Sequence, residues 1–410
     1  WRSDYGTVAE DQTRIGMRSD KLALEGEWRE PFAGWQSLQL QAASTDYSHT
    51  EFEAGVPGTV FGKRWQDLRL QARHQRLGPL EGVVGLQWES GRFKADGEEA
   101  YVPYSRSRSQ ALFALEEWRT GWGQLQAGAR IEQVSVRSDG SPVSADFAVG
   151  ERRFNPASVS LGGLYRLADG WLARGQLAHS QRAPSDAELF ANGPHLATHA
   201  WEIGSSQLGL EKSKSLDTGL AWTSGPHRMS VTAFASDFSN YIGLLATGQM
   251  QGGLPVQTYQ GVSASFRGLE ASGRQRLWQH TSTLDLDWRA DSVRATNDST
   301  GEPLPRIAPM RLGATLAYAQ GPWSAKLGAD WHAAQNRVPT GSVATGAYTL
   351  VNASVSYRQK QGATVLHWFV RLDNLTDQLA YSATSILTST AFGKSPLPGR
   401  SLKLGVQASF

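Results

Sequence analysis

The last ten residues, Ser401 to Phe410, alternate strictly. Leu402, Leu404, Val406, Ala408 and Phe410 share one parity, and Ser401, Lys403, Gly405, Gln407 and Ser409 share the other. Successive side chains of a strand point to opposite faces, so this strand has one apolar and one polar face. The pattern recurs. Over 283–291, Leu284, Leu286, Trp288 and Ala290 oppose Asp285, Asp287, Arg289 and Asp291. Similar rows run over 323–333 and 350–358. A soluble sandwich can also alternate, with water on one face and a core on the other. A strand of roughly 9–11 residues is long enough to cross a bilayer at a tilt, apolar side out and polar side in.

The connections separate the two readings. Short turn signals at 31–34, 76–82, 119–123, 168–171, 223–228, 276–280, 319–322 and 358–364 alternate with longer polar stretches. Those stretches lie near 48–62, 95–105, 137–153, 183–208, 242–256, 291–306, 333–346 and 374–399. Short turns at one end and long loops at the other are the pattern of an up-and-down transmembrane barrel, whereas a Greek-key sandwich has no reason to produce it. The reading predicts about seventeen antiparallel strands from near Lys21 to Phe410. An odd number cannot close as an antiparallel barrel, so either further strands precede Trp1 or residues 1–18 supply one. One short loop helix is predicted at 185–190, with Ser185 as N-cap and Glu188 as its capping-box partner.

Composition narrows the class. No stretch is apolar and long enough for a membrane-spanning helix. The negative mean hydropathy also suits a barrel whose lumen is polar. With no cysteine there is no disulfide framework or thiolate metal site. Forty Lys and Arg balance 38 Asp and Glu and are scattered along the chain, which gives no nucleic-acid footprint. Many of the 15 Trp residues, including Trp65, Trp171, Trp278, Trp323 and Trp368, fall near expected strand ends, where a membrane interface favours them. No nucleophile elbow or metalloprotease helix motif occurs, so the chain is read as not an enzyme, without a catalytic residue or resident cofactor.

Two groups of residues could hold a ligand. His49 and Glu51, two apart at the outer end of a strand, share a face. His195 and His199 share a face if their segment is helical, and Glu202 stays near them. Imidazole nitrogen and carboxylate oxygen suit zinc. The bland readings are a solvated strand end and loop histidines hydrogen-bonded to neighbouring loops. His332 and His367 sit on polar parities and could line a lumen, while His74, His227 and His280 lie beside short turns.

Several segments, in this order, resemble the barrel of a TonB-dependent outer-membrane receptor. They are Gln181-Arg182-Ala183-Pro184-Ser185-Asp186-Ala187-Glu188-Leu189-Phe190, Asn240-Tyr241-Ile242, Phe266-Arg267-Gly268-Leu269-Glu270 and Leu304-Pro305-Arg306. Near the end come Leu372-Asp373-Asn374-Leu375-Thr376-Asp377, Pro398-Gly399-Arg400 and the terminal Phe410. No single one is specific; their order and spacing are. Asp46-Tyr47 with His49 and Glu51, Gly97-Glu98-Glu99-Ala100 and the His195 segment look most like the zinc-uptake subgroup, although a long His-rich outer loop found in some zinc receptors is missing.

The resemblance implies an all-β fold, a transmembrane antiparallel up-and-down barrel of which about seventeen of twenty-two strands are present. Residues 1–410 are then one barrel domain, truncated at its N-terminus, with 1–18 an outer loop and the plug and coupling box absent from this chain. It further implies a monomer in outer-membrane lipid of a Gram-negative bacterium. A TonB energy-transducing complex acts through the missing plug, and the cargo is a scarce metal ion or metal chelate. Zinc leads, with haem or a ferric siderophore as the alternative, and His195, His199, Glu202, His49 and Glu51 are the candidate metal ligands. A passive porin would share the wall but lack a plug, and a soluble all-β binding protein would extract without detergent.

Overall fold

The computed structural model describes residues 1–8, 12–142 and 144–410. The strands in chain order are β1 (Arg2–Gly6), β2 (Thr13–Arg29), β3 (Trp35–Glu53), β4 (Val56–His74), β5 (Leu80–Asp96), β6 (Tyr104–Arg119) and β7 (Gly123–Gly140). Next come β8 (Gly150–Phe154), β9 (Ala157–Ala168) and β10 (Trp171–Arg182). A long loop follows, holding helix α1 (Asp186–Phe190), strand β11 (Asn192–His195), a 3-10 turn over Leu196–Thr198 and strand β12 (Ala200–Ile203). The wall resumes with β13 (Glu211–Ser224), β14 (His227–Gln251), β15 (Leu254–Gln279), β16 (Thr283–Asn297), β17 (Arg311–Gln320), β18 (Trp323–His332), β19 (Tyr348–Gln361) and β20 (Thr364–Asp373). A one-turn helix α2 (Leu387–Thr390) precedes the last strand, β21 (Ser401–Ser409).

Each wall strand pairs antiparallel with the next, in one sheet of 21 strands. β8 and β9 are two halves of one strand. They pair with successive parts of β7 and are separated at Asn155-Pro156, where proline has no N–H to offer the ladder. β11 and β12 belong to the loop and β1 is a short edge piece, so seventeen wall strands run from β2 to β21, the number the pattern predicts.

The parity rows also fall where expected. Leu70, Leu86, Leu112 and Ile131 are direct cross-strand neighbours, as are Leu161, Leu177 and Leu216. Most are half exposed or more, and Leu404 on β21 is 70% exposed. A belt of this size facing water would be an aggregation surface; facing lipid it is the solvated face of the wall. On the opposite parity the charges pair with one another. Arg274 forks Asp287 at 2.5 and 2.8 Å, Arg311 donates to Asp291 at 2.8 Å, and Arg130 donates to Glu132 at 2.5 Å. At the short-turn end aromatic rings pair beside the turns. Trp28 meets Phe32 at 5.5 Å, Trp122 meets Tyr165 at 5.7 Å and Trp323 meets Tyr357 at 4.6 Å. Trp171, Trp278, Trp323 and Trp368 belong to this girdle, but Trp65 does not. It lies mid-strand on the inward parity, with its ring over Gly91 and Lys63 Nζ 5.2 Å away.

Three expectations are corrected. Residues 48–62 and 242–256 are not loops. β3 and β4 turn at Ala54-Gly55, and β14 and β15 turn at Gly252-Gly253, so both are hairpins running beyond the bilayer. Their glycines and irregular mix of polar and apolar residues look like loop in a sequence, yet the ladder continues wherever the backbone finds partners. Nor are residues 1–18 an outer loop. Residues 2–6 and 13–18 pair as a hairpin from Arg2↔Arg18 to Gly6↔Arg14, while residues 9–11 lie outside the described residues. The remaining long loops connect wall strands where predicted, residue 143 of one of them also lying outside the described set. The buried apolar clusters sit at the long-loop end, inside. One joins Val136 and Phe154 of the wall to Leu189, Phe190 and Leu208 of the loop and to Ile242.

Adjacent residues of one strand test the assignment of faces. Leu316→Arg on the lipid face of β17 should cost about 2–4 kcal/mol when the barrel folds into vesicles. Thr315→Arg, facing the lumen, should cost under about 1 kcal/mol. Urea titrations giving equal losses would rule out a lipid-facing belt.

Candidate functional site

The loop between β10 and β13 fills the mouth. Its root is set by Arg182, which forks Glu188 at 2.8 and 3.0 Å and Glu211 at 3.1 Å to each oxygen. The capping box forms as the sequence predicts. Glu188 N donates to Ser185 Oγ at 3.3 Å and Ser185 N donates to Glu188 Oε2 at 2.7 Å. The chain then crosses the mouth as the β11–β12 hairpin. β12 pairs in parallel with β15 at Trp201↔Val256, Glu202↔Gln257 and Ile203↔Thr258. That edge of β15 is available because β16 ends at Asn297, opposite Ala264. From the other side, Thr390 Oγ1 in α2 donates to Thr198 O at 2.6 Å.

Glu202 lies at the centre of this crossing and is 1% exposed. His195 Nδ1 and Thr198 Oγ1 contact its Oε1 at 2.8 and 2.9 Å, and Tyr259 OH donates to Oε2 at 3.0 Å. Burial opposes its ionisation, but the bonds from His195, Thr198 and Tyr259 outweigh that, and the carboxyl is held below its usual range. The His195 ring stacks on Tyr101, with centroids 3.9 Å apart and planes 7° from parallel. β11 reaches that close because residue 193 is glycine. A Cβ there would lie 2.7 Å from Ala100 O and 2.8 Å from Tyr101 Cα.

The helical expectation for 195–199 is not met. His195 ends β11 in extended conformation, a single 3-10 turn follows, and His199 has φ +48°. The chain reverses between the two, so the pair does not share a helix face, although His195 and Glu202 are brought into contact. Among the described residues no three His, Asp or Glu side chains adopt metal-ligating geometry.

The second predicted pair lies on the inward parity of β3. His49 Nε2 and Glu51 Oε1 are 3.8 Å apart, and Glu51 is 7% exposed. His49 stacks on Phe61 at 4.4 Å and its Nδ1 is buried without a hydrogen-bond partner. Glu99 joins this group from the β5–β6 loop, where its N–H donates to Thr59 Oγ1 at 3.0 Å. Burial first, then hydrogen bonds to Glu53 and Glu51, push the Glu99 carboxyl up to about 9. Three carboxyls are therefore packed together and share a proton at neutral pH.

Tyr101 joins the two groups. Burial raises its hydroxyl pKa, and so do the charges of Glu202, Asp186 and Glu51, which places it between both predicted sites. Sequence reasoning did not assign Tyr259, Thr198 or Arg182 to the site: Tyr259 reaches Glu202 across 57 residues, while Thr198, four residues from Glu202, and Arg182, six from Glu188, carry no pattern that marks them. Behind this cluster a cavity of about 340 Å³ lies between the inner wall, including Trp65, Glu89 and Glu132, and the loop segment ending at Asp186.

The family model described as TonB dependent receptor-like, beta-barrel, matches residues 1–375. Among solved structures, the chain resembles the copper transporter OprC at TM-score 0.80 and 17% identity, covering 98% of this chain and 70% of that one. It resembles the ferric yersiniabactin uptake receptor FyuA of Yersinia pestis at TM-score 0.68 and 15% identity, covering 97% and 61%. For the Serratia marcescens hemophore receptor HasR, solved with its hemophore HasA and heme, the TM-score is 0.71 at 16% identity, covering 96% and 66%. The chain thus spans less than two thirds of the length of the last two.

The Glu99 proton gives a pH test. A carboxyl raised on folding contributes stability that is fully present below its ordinary value of 4.5 and is lost as pH rises through about 9. Thermal unfolding of the wild type in detergent should weaken across that interval, and Glu99→Gln should flatten the dependence. Parallel profiles for the two proteins would show that the carboxyl group holds no such proton.

Proposed function

Because the chain belongs to the TonB-dependent receptor β-barrel family, we propose that it is the barrel part of an outer-membrane importer for a scarce metal ion or metal chelate, with zinc the leading cargo. Barrels of this family lie in the outer membrane of Gram-negative bacteria, and the apolar belt on the outward parity suits that site. The observation that carries the cargo reading is the His195–Glu202 contact at 2.8 Å beneath the loop that fills the mouth.

A histidine that ligates a metal commonly gives its other ring nitrogen to a carboxylate, which fixes the tautomer and orients the ring. With Nδ1 held by Glu202, His195 offers Nε2. The stacked Tyr101 ring limits rotation of the imidazole. Glu202 accepts from three groups, so its part is to orient His195 and to supply negative charge. His199 approaches from the other side of the turn and would need a modest movement of the 196–199 segment to join. His49 and Glu51, with Glu53 and Glu99 beside them, form a second acidic station on the inner wall next to Tyr101.

Capture needs no covalent chemistry. A dication replaces the shared proton or meets His195 Nε2, and the gain is electrostatic because the mouth is partly dehydrated. Passage inward rests on a plug that an inner-membrane TonB complex pulls on, and no part of that step is assigned to residues of this chain. A constricting loop would also suit a passive pore; what favours import is the match to the receptor family. Transport as a monomer completes the proposal.

Zinc binding by the full-length receptor in detergent, with haem as competitor, is the test. Wild type should bind zinc, and His195→Ala/His199→Ala should weaken it by roughly 10- to 100-fold. Glu202→Gln, which keeps the shape but removes the charge, should weaken it by a smaller factor. Haem binding that zinc does not compete with, together with no zinc binding, would replace zinc by haem as cargo and leave the importer intact.

A further inference from the structure

The outward face of the wall carries a run of like charges. In the antiparallel register Arg64 lies opposite Arg92, Arg92 opposite Arg106, and Arg106 opposite Arg137. Residues directly opposite in a sheet project to the same face, so these four guanidinium groups form one row across β4, β5, β6 and β7. Three strand spacings make the row about 15 Å wide. All four are exposed, and each has the parity of the lipid-facing leucine of its own strand, Leu68, Leu86, Leu112 or Ile131. Acidic residues bound the row, with Asp46 opposite Arg64 at one end and Glu151 opposite Arg137 at the other.

Like charges placed directly opposite one another destabilise a sheet, and a row of four compounds the effect. The protein offsets only part of it. Asp46 takes Arg64 at 2.8 Å, and Asp139 takes both Arg106 and Arg137 at 2.8 Å. Arg92 in the middle of the row has no hydrogen bond or ion pair to any described residue. Nor has Arg108, one step nearer the belt, opposite Ser90 and Ser135. Inside the lumen, by contrast, Arg274, Arg276, Arg289 and Arg311 each meet an aspartate.

We infer that this row is a docking site for a net-negative, phosphate-bearing lipid headgroup of the outer leaflet, as opposed to a zwitterionic one. Two features select that ligand. Guanidinium forks match phosphate oxygens, and the neighbours Arg92 and Arg108 can share one phosphate between two strands. The row shares its face with the exposed apolar wall, four residues from Leu68 and six from Leu86 and Leu112, or roughly 13–20 Å along the strands, so acyl chains can lie against these leucines while the headgroup meets the arginines. A free anion would have no use for the belt. The inference rests on the outer-membrane reading but not on the cargo.

Native mass spectrometry of the full chain in detergent micelles, titrated with phosphatidic acid, phosphatidylcholine or inorganic phosphate, tests it. Wild type should hold phosphatidic acid well above the other two. Arg92→Gln/Arg108→Gln, which removes the two unpaired cations, should lose roughly thirtyfold, at about 1 kcal/mol for each cation near a lipid surface. The variant should unfold in lipid-free detergent no more readily than wild type, because repulsion has been relieved. Asp46→Asn, which frees Arg64, should bind phosphatidic acid more tightly than wild type. Equal phosphatidic acid binding by wild type and the double variant would overturn the site, as would equal binding of phosphatidylcholine. Binding of inorganic phosphate as tight as that of phosphatidic acid would overturn the lipid assignment. Failure of the protein to require detergent at all would instead overturn the membrane reading.

Discussion

Backbone hydrogen bonding in lipid is the constraint on which everything else here depends. An unpaired N–H or C=O in hydrocarbon costs several kcal/mol, so a strand in the wall must be paired along both edges. Once the ladder is fixed, side chains have no choice of face, and a register slip of one residue would send every leucine into the lumen. The inner ion pairs, such as Arg274 with Asp287, follow from the same register, since cross-strand partners on the inward parity are the nearest neighbours available. The interruption at Asn155-Pro156 is tolerated for the same reason. Glu132 N still finds Pro156 O at 2.9 Å, so the neighbouring strand keeps that donor satisfied although proline offers none in return.

At the mouth the same rule acts on a side chain. A carboxylate buried as deeply as Glu202 is tenable only with its donors in place. Two of those donors come from β11 and the 3-10 turn that follows it, and the third from β15, 57 residues away from Glu202. Satisfying Glu202 therefore pins the hairpin to β15, two strands along the wall from β13, and β12 completes the edge of β15 that β16 leaves open. The position of His195 is a consequence of that pinning. The first geometric requirement of a ligand site, a histidine held in one tautomer and one orientation, is thus met by what also holds the loop.

The wall was the most legible part of the sequence because its signal is local. Period-two alternation, turn residues and strand number can all be read without knowing the partner strand. Local capping chemistry was legible too, in Ser185 and Glu188, whereas the bonds of Asn374, whose Oδ1 accepts from Gln378 N at 2.9 Å and whose Nδ2 donates to Pro398 O at 3.1 Å, were not read from the sequence. Illegible were features that need a partner from elsewhere. The outer hairpins over 48–62 and 242–256 are rich in glycine and mix polar and apolar residues without strict alternation, so strand and loop look alike there. Tyr101 meets His195 only because two loops touch, and His199 was misplaced because a four-residue spacing cannot distinguish a helical turn from the tip of a hairpin.

The two faces of β3, β4 and β5 show how one stretch of wall can carry opposite charge without conflict. On the inner side Glu51 and Glu99 are crowded together, and on the outer side stand Arg64 and Arg92. Each group alone is unfavourable, since like charges are held close. Arg64 lies opposite Asp46, five residues before Glu51, so the two groups are offset by roughly 17 Å along the strand as well as by the wall, and salt screens most of their attraction. The attraction is insufficient to neutralise either face, because the sheet keeps the charges apart. Each side is left with a residual demand of definite sign, cationic within the mouth and anionic at the lipid boundary. Removing the arginines should therefore leave the Glu99 carboxyl's hold on its proton almost unchanged, so each face of the wall can be altered without the other.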